Sequence, residues 1–202
     1  MKLKIKNIYI FLIGAIVIAV ITMYYLSLPK VSYTPLKEHT EHVRGMPDAQ
    51  IRIVEYSDFQ CSYCARAQPT LDQILSSYEG EVKLIFKHFP LQFHQYAKKS
   101  AEAAECADDQ EKFWEYHDKL FENQNALTTN DLKRYASEIG LDTELFDACL
   151  DSGTMASRVR EDTSEGQKFG VSGTPTFLID GQKVVGAESY SVFQQIIDAE
   201  LG

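Results

Sequence analysis

Residues 55–64 read Glu-Tyr-Ser-Asp-Phe-Gln-Cys-Ser-Tyr-Cys, a segment that ends in two cysteines separated by two residues. The preceding residues, 51–56, are rich in β-branched and aromatic side chains and predict a β-strand. Residues 61–75 predict a helix with Pro69 inside it, where proline favours a kink. Cys61 therefore begins a helix directly after a strand, and Cys64 lies one turn further along the same helix face.

This placement predicts redox chemistry for the two thiols. The free backbone N–H groups and the dipole at a helix N-terminus favour the thiolate of Cys61, and the thiolate is the form that attacks disulfides. Cys64 lies deeper and is suited to attack Cys61 and resolve a mixed disulfide. We therefore predict that Cys61 and Cys64 are catalytic.

A zinc site is the competing interpretation, because half of a zinc site has the same Cys-x-x-Cys spacing. The other two cysteines, Cys106 and Cys149, do not form a second such pair. His88 and His94 have no compelling ligand spacing. We therefore predict no metal ligands in this chain.

The rest of the chain predicts an α/β domain with an all-helical insertion. Strands are predicted at residues 82–88, 176–179 and 183–185, with Asp180-Gly181 as a hairpin turn between the last two. Helical patterns fill residues 96–169, and a final helix follows Ser189. Thr129, Asp142 and Ser189 are the predicted N-caps.

The N-terminus predicts export and membrane attachment. Three lysines, at positions 2, 4 and 6, precede a run without charge from residue 8 to residue 28. That length can cross a bilayer as a helix, and the basic flank keeps the N-terminus in the cytoplasm. We predict a transmembrane helix at 1–28, a linker at 29–48 that includes solvated His39 and His42, and an extracytoplasmic domain at 49–202. A cleaved signal peptide is the alternative.

Charge and motifs exclude several classes of function. Residues 31–202 contain 16 basic and 29 acidic residues, a net charge of −13. A nucleic-acid partner needs a basic surface, so none is predicted. The sequence has no phosphate-binding loop and no Gly-x-Ser-x-Gly motif, and we predict no cofactor.

Three motifs resemble the DsbA-like thioredoxin-fold family. They are residues 55–64, residues 112–117 (Lys-Phe-Trp-Glu-Tyr-His), and residues 170–181 (Gly-Val-Ser-Gly-Thr-Pro-Thr-Phe-Leu-Ile-Asp-Gly). The resemblance implies a cis-proline at Pro175, substrate contacts from Thr174, and an apolar peptide groove bordered by Phe59. It also implies exported protein substrates with cysteines and a membrane redox partner, either a quinone-linked oxidase or a membrane reductant. Without the resemblance, Pro175 reads as a trans proline that begins an edge strand.

Glu55 shares strand alternation with Ile51 and Ile53, so its side chain is predicted to face the apolar core. A buried carboxyl has a raised pKa and can move protons for Cys64. The family also has an acid here beneath its cysteines. The alternative is a carboxyl at the strand end that reaches solvent.

Tyr63 lies where DsbA itself has a histidine that helps hold the thiolate. Tyr63 brings no such charge. A tyrosine at this position, and a threonine before the cis-proline as at Thr174, resemble the sequences of the isomerases of the family. We therefore expect an intermediate reduction potential and predict a substrate contact for Tyr63. The alternatives are an isomerase or reductase of the same fold, or a metal- or peptide-binding module without turnover.

Cys106 and Cys149 both fall in the helical block. An even number of cysteines in an exported protein favours pairing. We predict a structural disulfide between them, closing a loop of about 40 residues. Two buried free thiols are the alternative.

Overall fold

A five-stranded mixed sheet is the centre of the fold. The structure is a computed structural model, and it describes residues 42–202 together with Ile18 and Met23. The strands are β1 (His42–Gly45), β2 (Ile51–Ser57), β3 (Val82–His88), β4 (Thr176–Ile179) and β5 (Gln182–Val185). Their order is β1-β3-β2-β4-β5. Only β2 and β3 pair in parallel, and the other described pairs are antiparallel.

Seven helices lie in the part of the chain that the structure describes continuously. They are α1 (Ser62–Ser77), α2 (Ala97–Asp108), α3 (Phe113–Glu122), α4 (Thr129–Glu138), α5 (Thr143–Ser152), α6 (Ala156–Lys168) and α7 (Tyr190–Leu201). Helix α1 makes the parallel crossover from β2 to β3, as expected for a right-handed βαβ unit. Helices α2 to α6 all fall between β3 and β4. They form the helical insertion predicted at residues 96–169.

The buried apolar side chains form two clusters. The sheet cluster packs strands β2 to β5 against α1 and α7, and includes Ile51, Ile53, Leu71, Ile74, Phe177, Phe193 and Ile197. The insertion cluster lies among α2 to α6 and includes Ala104, Tyr116, Leu120, Leu132, Tyr135, Phe146 and Leu150. Phe86 of β3 and Phe59, in the turn after β2, belong to the insertion cluster, so they connect the insertion to the sheet.

The helix caps partly follow the sequence prediction. Asp142 caps α5 by accepting hydrogen bonds from the N–H groups of Glu144 and Leu145, as predicted. Helix α4 is capped by Thr128 rather than Thr129, because Thr128 and Asp131 form a reciprocal capping box. Ser189 is the N-cap residue of α7 but makes no capping hydrogen bond; its hydroxyl pairs with that of Ser191.

The β4–β5 hairpin turns at Asp180-Gly181, as predicted. Both residues have positive φ, 43° and 96°. This backbone is the two-residue turn that matches the twist of a hairpin, and it explains the Asp-Gly sequence.

Strand β1 corrects the predicted linker, because it lies inside residues 29–48 and pairs with the edge of β3. His42, predicted to be solvated, is 8% exposed because β1 brings it against α2 and α3. The predicted transmembrane helix falls outside the described residues. Among the residues that are described, no helix is both long and apolar enough to cross a bilayer.

Candidate active site

The two cysteines of the Cys-x-x-Cys motif lie at the start of α1, as predicted. Cys61 is the N-cap residue and Cys64 lies in the first turn. The N–H groups of Cys64 and Ala65 both donate to the Cys61 carbonyl, which begins the helix. Both thiols are free, and Cys61 is 5% exposed while Cys64 is fully buried. Cys61 is therefore the thiol that a substrate can reach.

The environment of Cys61 favours its thiolate. A hydrogen bond from Cys64 is the largest cause that lowers the pKa of Cys61, to about 5. Burial opposes this change, whereas hydrogen bonds from Thr174 and from the backbone of Cys64 and Tyr63 add to it. A thiol with such a pKa is ionised at neutral pH and leaves readily from a mixed disulfide.

Cys64 has the opposite character. Burial raises the pKa of Cys64 well above its ordinary value, and the neighbouring Cys61 and Glu55 raise it further. Since the two thiols share one proton between close sulfurs, they titrate as a pair. Cys64 holds the proton while Cys61 carries the negative charge.

Glu55 lies beneath this pair, on the face of β2 that packs against α1. It is fully buried, as its alternation with Ile51 and Ile53 predicted. Burial raises the pKa of Glu55 to about 7, against smaller lowering effects from Ser57, Gln68 and Arg44. A carboxyl with this pKa both gives and takes a proton near neutral pH.

Two polar side chains that the sequence did not single out contact this acid. Gln68, one helical turn after Cys64, donates from Nε2 to the Glu55 carboxylate at 3.2 Å and to the Cys64 carbonyl at 3.3 Å. The Ser57 hydroxyl is buried without a hydrogen bond of normal geometry, yet it lowers the pKa of both Glu55 and Cys64. Ser57 therefore lies near both groups.

A surface pocket of about 380 Å³ lies beside Gln68. Its lining residues come from β1, α1 and α3: Arg44, Ala65, Gln68, Pro69, Asp72, Asp118, Phe121 and Glu122. Gln68 therefore both lines the pocket and contacts the buried carboxyl of Glu55.

The loop before β4 faces Cys61 from the other side. The Thr174–Pro175 peptide bond is cis, as the family resemblance implied. The Cys61 thiol lies 3.4 Å from the Thr174 carbonyl, to which it donates when protonated. The Thr174 hydroxyl is buried and has no other partner, so it is available to the Cys61 thiolate.

Polar side chains also fix the backbone before Cys61. Asp58 accepts hydrogen bonds from the N–H groups of Gln60 and Leu91 and pairs with His94 at 2.8 Å. From the insertion, Gln124 donates to the carbonyls of Phe59 and Cys61, at 2.8 and 2.9 Å. The Asp-x-Gln pattern was a sequence signal for the local turn. No local signal identified Gln124.

The prediction that Phe59 borders a peptide groove is wrong. Its ring is 1% exposed and stacks on Phe86, with the ring centroids 5.2 Å apart. The ring lies in the turn after β2 and packs inward because the insertion cluster covers it. Phe59 supports the active-site segment and cannot contact a substrate directly.

Tyr63 is accessible, with 55% of its surface exposed. The Arg66 guanidinium lies 4.0 Å from the centre of its ring, a cation–π contact that holds the ring over the first turn of α1. Tyr63 can thus meet a substrate, and its predicted role stays a prediction.

The second pair of cysteines is joined. Cys106 of α2 and Cys149 of α5 form a disulfide across 43 residues, as predicted. His117 is a packed core residue, 1% exposed. Burial lowers the pKa of His117 to about 4, which keeps its ring neutral.

Comparison with known proteins identifies the family. Residues 37–199 match the family model described as thioredoxin, so the chain belongs to that family. BdbD from Bacillus subtilis is 28% identical, with a TM-score of 0.72 over 80% of this chain and 92% of that one. A thioredoxin-like oxidoreductase from Silicibacter pomeroyi is 26% identical, with a TM-score of 0.73 over 80% and 92%. Wolbachia pipientis α-DsbA2, a thiol-disulfide exchange protein, shares the fold at 21% identity, with a TM-score of 0.72 over 82% and 89%.

The curated relatives are much longer proteins. A Na⁺/H⁺ antiporter, NhaA 3 of Salinispora tropica, is 40% identical over 74% of this chain and 23% of its own length. A second, NhaA of Herminiimonas arsenicoxydans, is 35% identical over 85% and 27%. The chain spans about a quarter of these relatives.

The fold and the Cys-x-x-Cys motif are those of the DsbA-like branch of the thioredoxin family, whose solved members include proteins described as an oxidoreductase and as a thiol-disulfide exchange protein. Free Cys61 and Cys64, the buried acid Glu55 and the cis bond before Pro175 converge at one end of the sheet.

Proposed function

We propose that this protein is a dithiol oxidase that introduces disulfides into exported proteins. The observation that carries the proposal is the asymmetry of the cysteine pair: Cys61 is favoured as a thiolate and Cys64 is buried and protonated. Stabilising the Cys61 thiolate stabilises the reduced form of the pair. A stabilised reduced form makes the disulfide form a stronger oxidant.

The exchange takes two steps. A substrate thiolate attacks the Cys61 sulfur of the Cys61–Cys64 disulfide, forms a mixed disulfide and expels Cys64, which takes a proton from Glu55. The second substrate thiolate then attacks the substrate sulfur of the mixed disulfide and expels Cys61 as a thiolate. The substrate loses two electrons as its disulfide forms, and the Cys61–Cys64 pair gains them.

The two leaving groups need different help. Cys61 leaves readily because of its low pKa, whereas Cys64 is a poor leaving group unless it is protonated as it departs. Glu55, with a pKa of about 7, supplies that proton, and the pocket next to Gln68 lets it be replaced from solvent. Thr174 and Tyr63 are the proposed contacts for the substrate chain.

An extracytoplasmic location is part of the proposal. The lysine-flanked apolar run at residues 8–28 supports membrane attachment, and the Cys106–Cys149 disulfide supports an oxidising compartment. Exported proteins with cysteines are then the substrates. A quinone-linked membrane oxidase is the proposed partner that reoxidises the pair.

The test is the reduction potential of the Cys61–Cys64 pair. The protein is equilibrated with glutathione buffers and trapped with an alkylating agent, and peptide mapping separates this pair from Cys106–Cys149. We expect a value more oxidising than the about −180 mV of protein disulfide isomerase. A value near the about −270 mV of thioredoxin would overturn the oxidase proposal in favour of a reductase or isomerase. The accompanying assay measures disulfide formation in a reduced unfolded protein.

A further inference from the structure

A cluster of three buried side chains, none of them used in the proposed exchange reaction, lies where β1, β3 and α2 meet. His42 of β1, His88 of β3 and Glu105 of α2 are 8%, 1% and 3% exposed. The Nε2 atoms of His42 and His88 lie 2.7 and 2.9 Å from the same carboxylate oxygen, Oε1 of Glu105. Two imidazole nitrogens and one oxygen thus converge on one point.

We propose that His42, His88 and Glu105 form a structural binding site for one divalent transition-metal ion of the zinc class. Their ligand atoms all lie within 4.8 Å of one another. A metal bound at about 2.0–2.2 Å by two nitrogens and one oxygen brings its ligands to within such a separation. It takes the place of the ring protons that otherwise point at Glu105.

The surrounding residues hold the three ligands as a metal site requires. The other nitrogen of His42, Nδ1, lies 3.4 Å from an Asp108 carboxylate, and such a contact orients a metal-bound imidazole. Arg158 of α6 donates to the second oxygen of Glu105 at 3.2 Å, so Oε1 stays available for the metal. The ring of His42 stacks on Phe113 with the centroids 3.5 Å apart.

Ligand chemistry decides the kind of metal. Imidazole nitrogens with one carboxylate favour Zn²⁺ and Cu²⁺, whereas Ca²⁺ and Mg²⁺ prefer oxygen ligands. Because Nδ1 of His88 is buried without a hydrogen bond, either tautomer of that ring is open, and Nε2 can offer its lone pair. The burial of all three ligands indicates a structural site, in which the metal joins the edge strand β1 to the insertion.

The alternative is a buried ion pair without metal. Burial lowers the pKa of His42, but hydrogen bonds to Asp108 and Glu105 more than offset this and raise it to about 9. A protonated His42 bound to Glu105 satisfies the same contacts. The two interpretations differ in metal stoichiometry, which is measurable without any assay of redox activity.

The experiment uses the full chain with Cys61→Ser and Cys64→Ser, which removes the other candidate ligands. After loading with Zn²⁺ and gel filtration, we expect about one equivalent of zinc and a rise in Tm of about 5 °C or more that a chelator reverses. His42→Gln and Glu105→Gln should lose that equivalent, and His94→Gln, outside the cluster, should keep it. Absence of zinc in the background protein, or its retention in both cluster variants, would overturn the proposal.

A second measurement needs no variant of the cluster, should those variants fail to fold. The same background protein is loaded with Cu²⁺ and measured by pulsed electron paramagnetic resonance, which counts bound imidazoles. We expect two histidine ligands. One or none would overturn the assignment. Because the cysteine pair is absent throughout, the result is independent of the proposed oxidase function.

Discussion

The two pairs of cysteines in this protein differ in their chemical state: one pair is free and the other forms a disulfide. Cys61 and Cys64 are three residues apart, free, and held in different protonation states at a helix start. Cys106 and Cys149 are 43 residues apart and joined between α2 and α5. Both pairs are largely buried, so burial does not separate them. What separates them is the surroundings of the sulfur: polar donors and an acid around the first pair, and the apolar insertion cluster around the second.

The difference teaches that reactivity comes from an unequal environment. A hydrogen bond from Cys64, together with Thr174 and backbone N–H groups, favours the charge on Cys61, while burial opposes it on Cys64. Cys106 needs no comparable donors, because the disulfide that it forms with Cys149 is structural and no thiolate has to be stabilised there.

The largest expected effect is on activity, from removal of the nucleophile. Cys61→Ser should reduce disulfide formation in a reduced test protein to the uncatalysed rate, since the step at Cys61 has no substitute. The matched control is the double variant Cys106→Ala and Cys149→Ala, which should remain active under conditions where it stays folded. Equal loss in both variants would show that the two pairs do not have separate roles.

The same double variant should have the largest effect on stability. Loss of the Cys106–Cys149 bridge removes a constraint on a 43-residue loop of the unfolded chain. We expect the free energy of unfolding to fall by about 4 kcal/mol. Denaturant titration of the oxidised protein and the variant measures the difference. A change below about 1 kcal/mol would mean that the bridge is not a structural element.

Glu55→Gln tests the acid beside the Cys61–Cys64 pair through the pH dependence of protein stability. Folding raises the pKa of the Glu55 carboxyl from 4.5 to about 7. Between these pH values the carboxyl ionises in the unfolded chain but stays protonated in the folded one. The folded state therefore loses stability as the pH increases through this range. Well below pH 4.5 the carboxyl is protonated in both states, and the variant should be as stable as the parent. At pH 8 the variant should be more stable by about 3 kcal/mol.

The same variant should exchange disulfides more slowly near neutral pH, because its amide cannot protonate Cys64 as that thiol leaves. The expected loss is about a hundredfold, the lower end of what general acid catalysis contributes. Stopped-flow measurement of mixed-disulfide formation and release tests the role. If the stability changes with pH as predicted but the exchange rate at pH 7 is unchanged, Glu55 is a buried acid that takes no part in the reaction.

The smallest expected effect belongs to Thr174→Val, which removes one hydroxyl near the Cys61 sulfur. The pKa of Cys61 should rise by less than about one pH unit, the worth of one hydrogen bond. Thiolate absorbance at 240 nm, followed against pH, gives this value. A fall in the pKa would contradict the assigned role of the Thr174 hydroxyl.

Local patterns in the sequence determined most of the fold and part of the site. The strand before Cys61, the helical block, the Asp180-Gly181 turn and the core-facing side of Glu55 follow from period, turn chemistry and alternation, which neighbouring residues specify. Family resemblance, rather than physics, supplied the cis bond before Pro175. The pairing of Cys106 with Cys149 followed from cysteine number and the expected compartment.

Only the tertiary structure decided which distant side chains meet. Gln124 and the Cys61 carbonyl are 63 residues apart, and so are His42 and Glu105. Strand β1 was hidden in an apparent linker because four residues at a sheet edge carry little pattern, and Phe59 turned inward because the insertion covers it. Such contacts depend on how β3, α2 and α3 pack, and no local sequence pattern records that packing. Local sequence patterns therefore specified the strands, the helices and the Cys-x-x-Cys motif. The packing of the insertion on the sheet specified which side chains surround each cysteine and histidine.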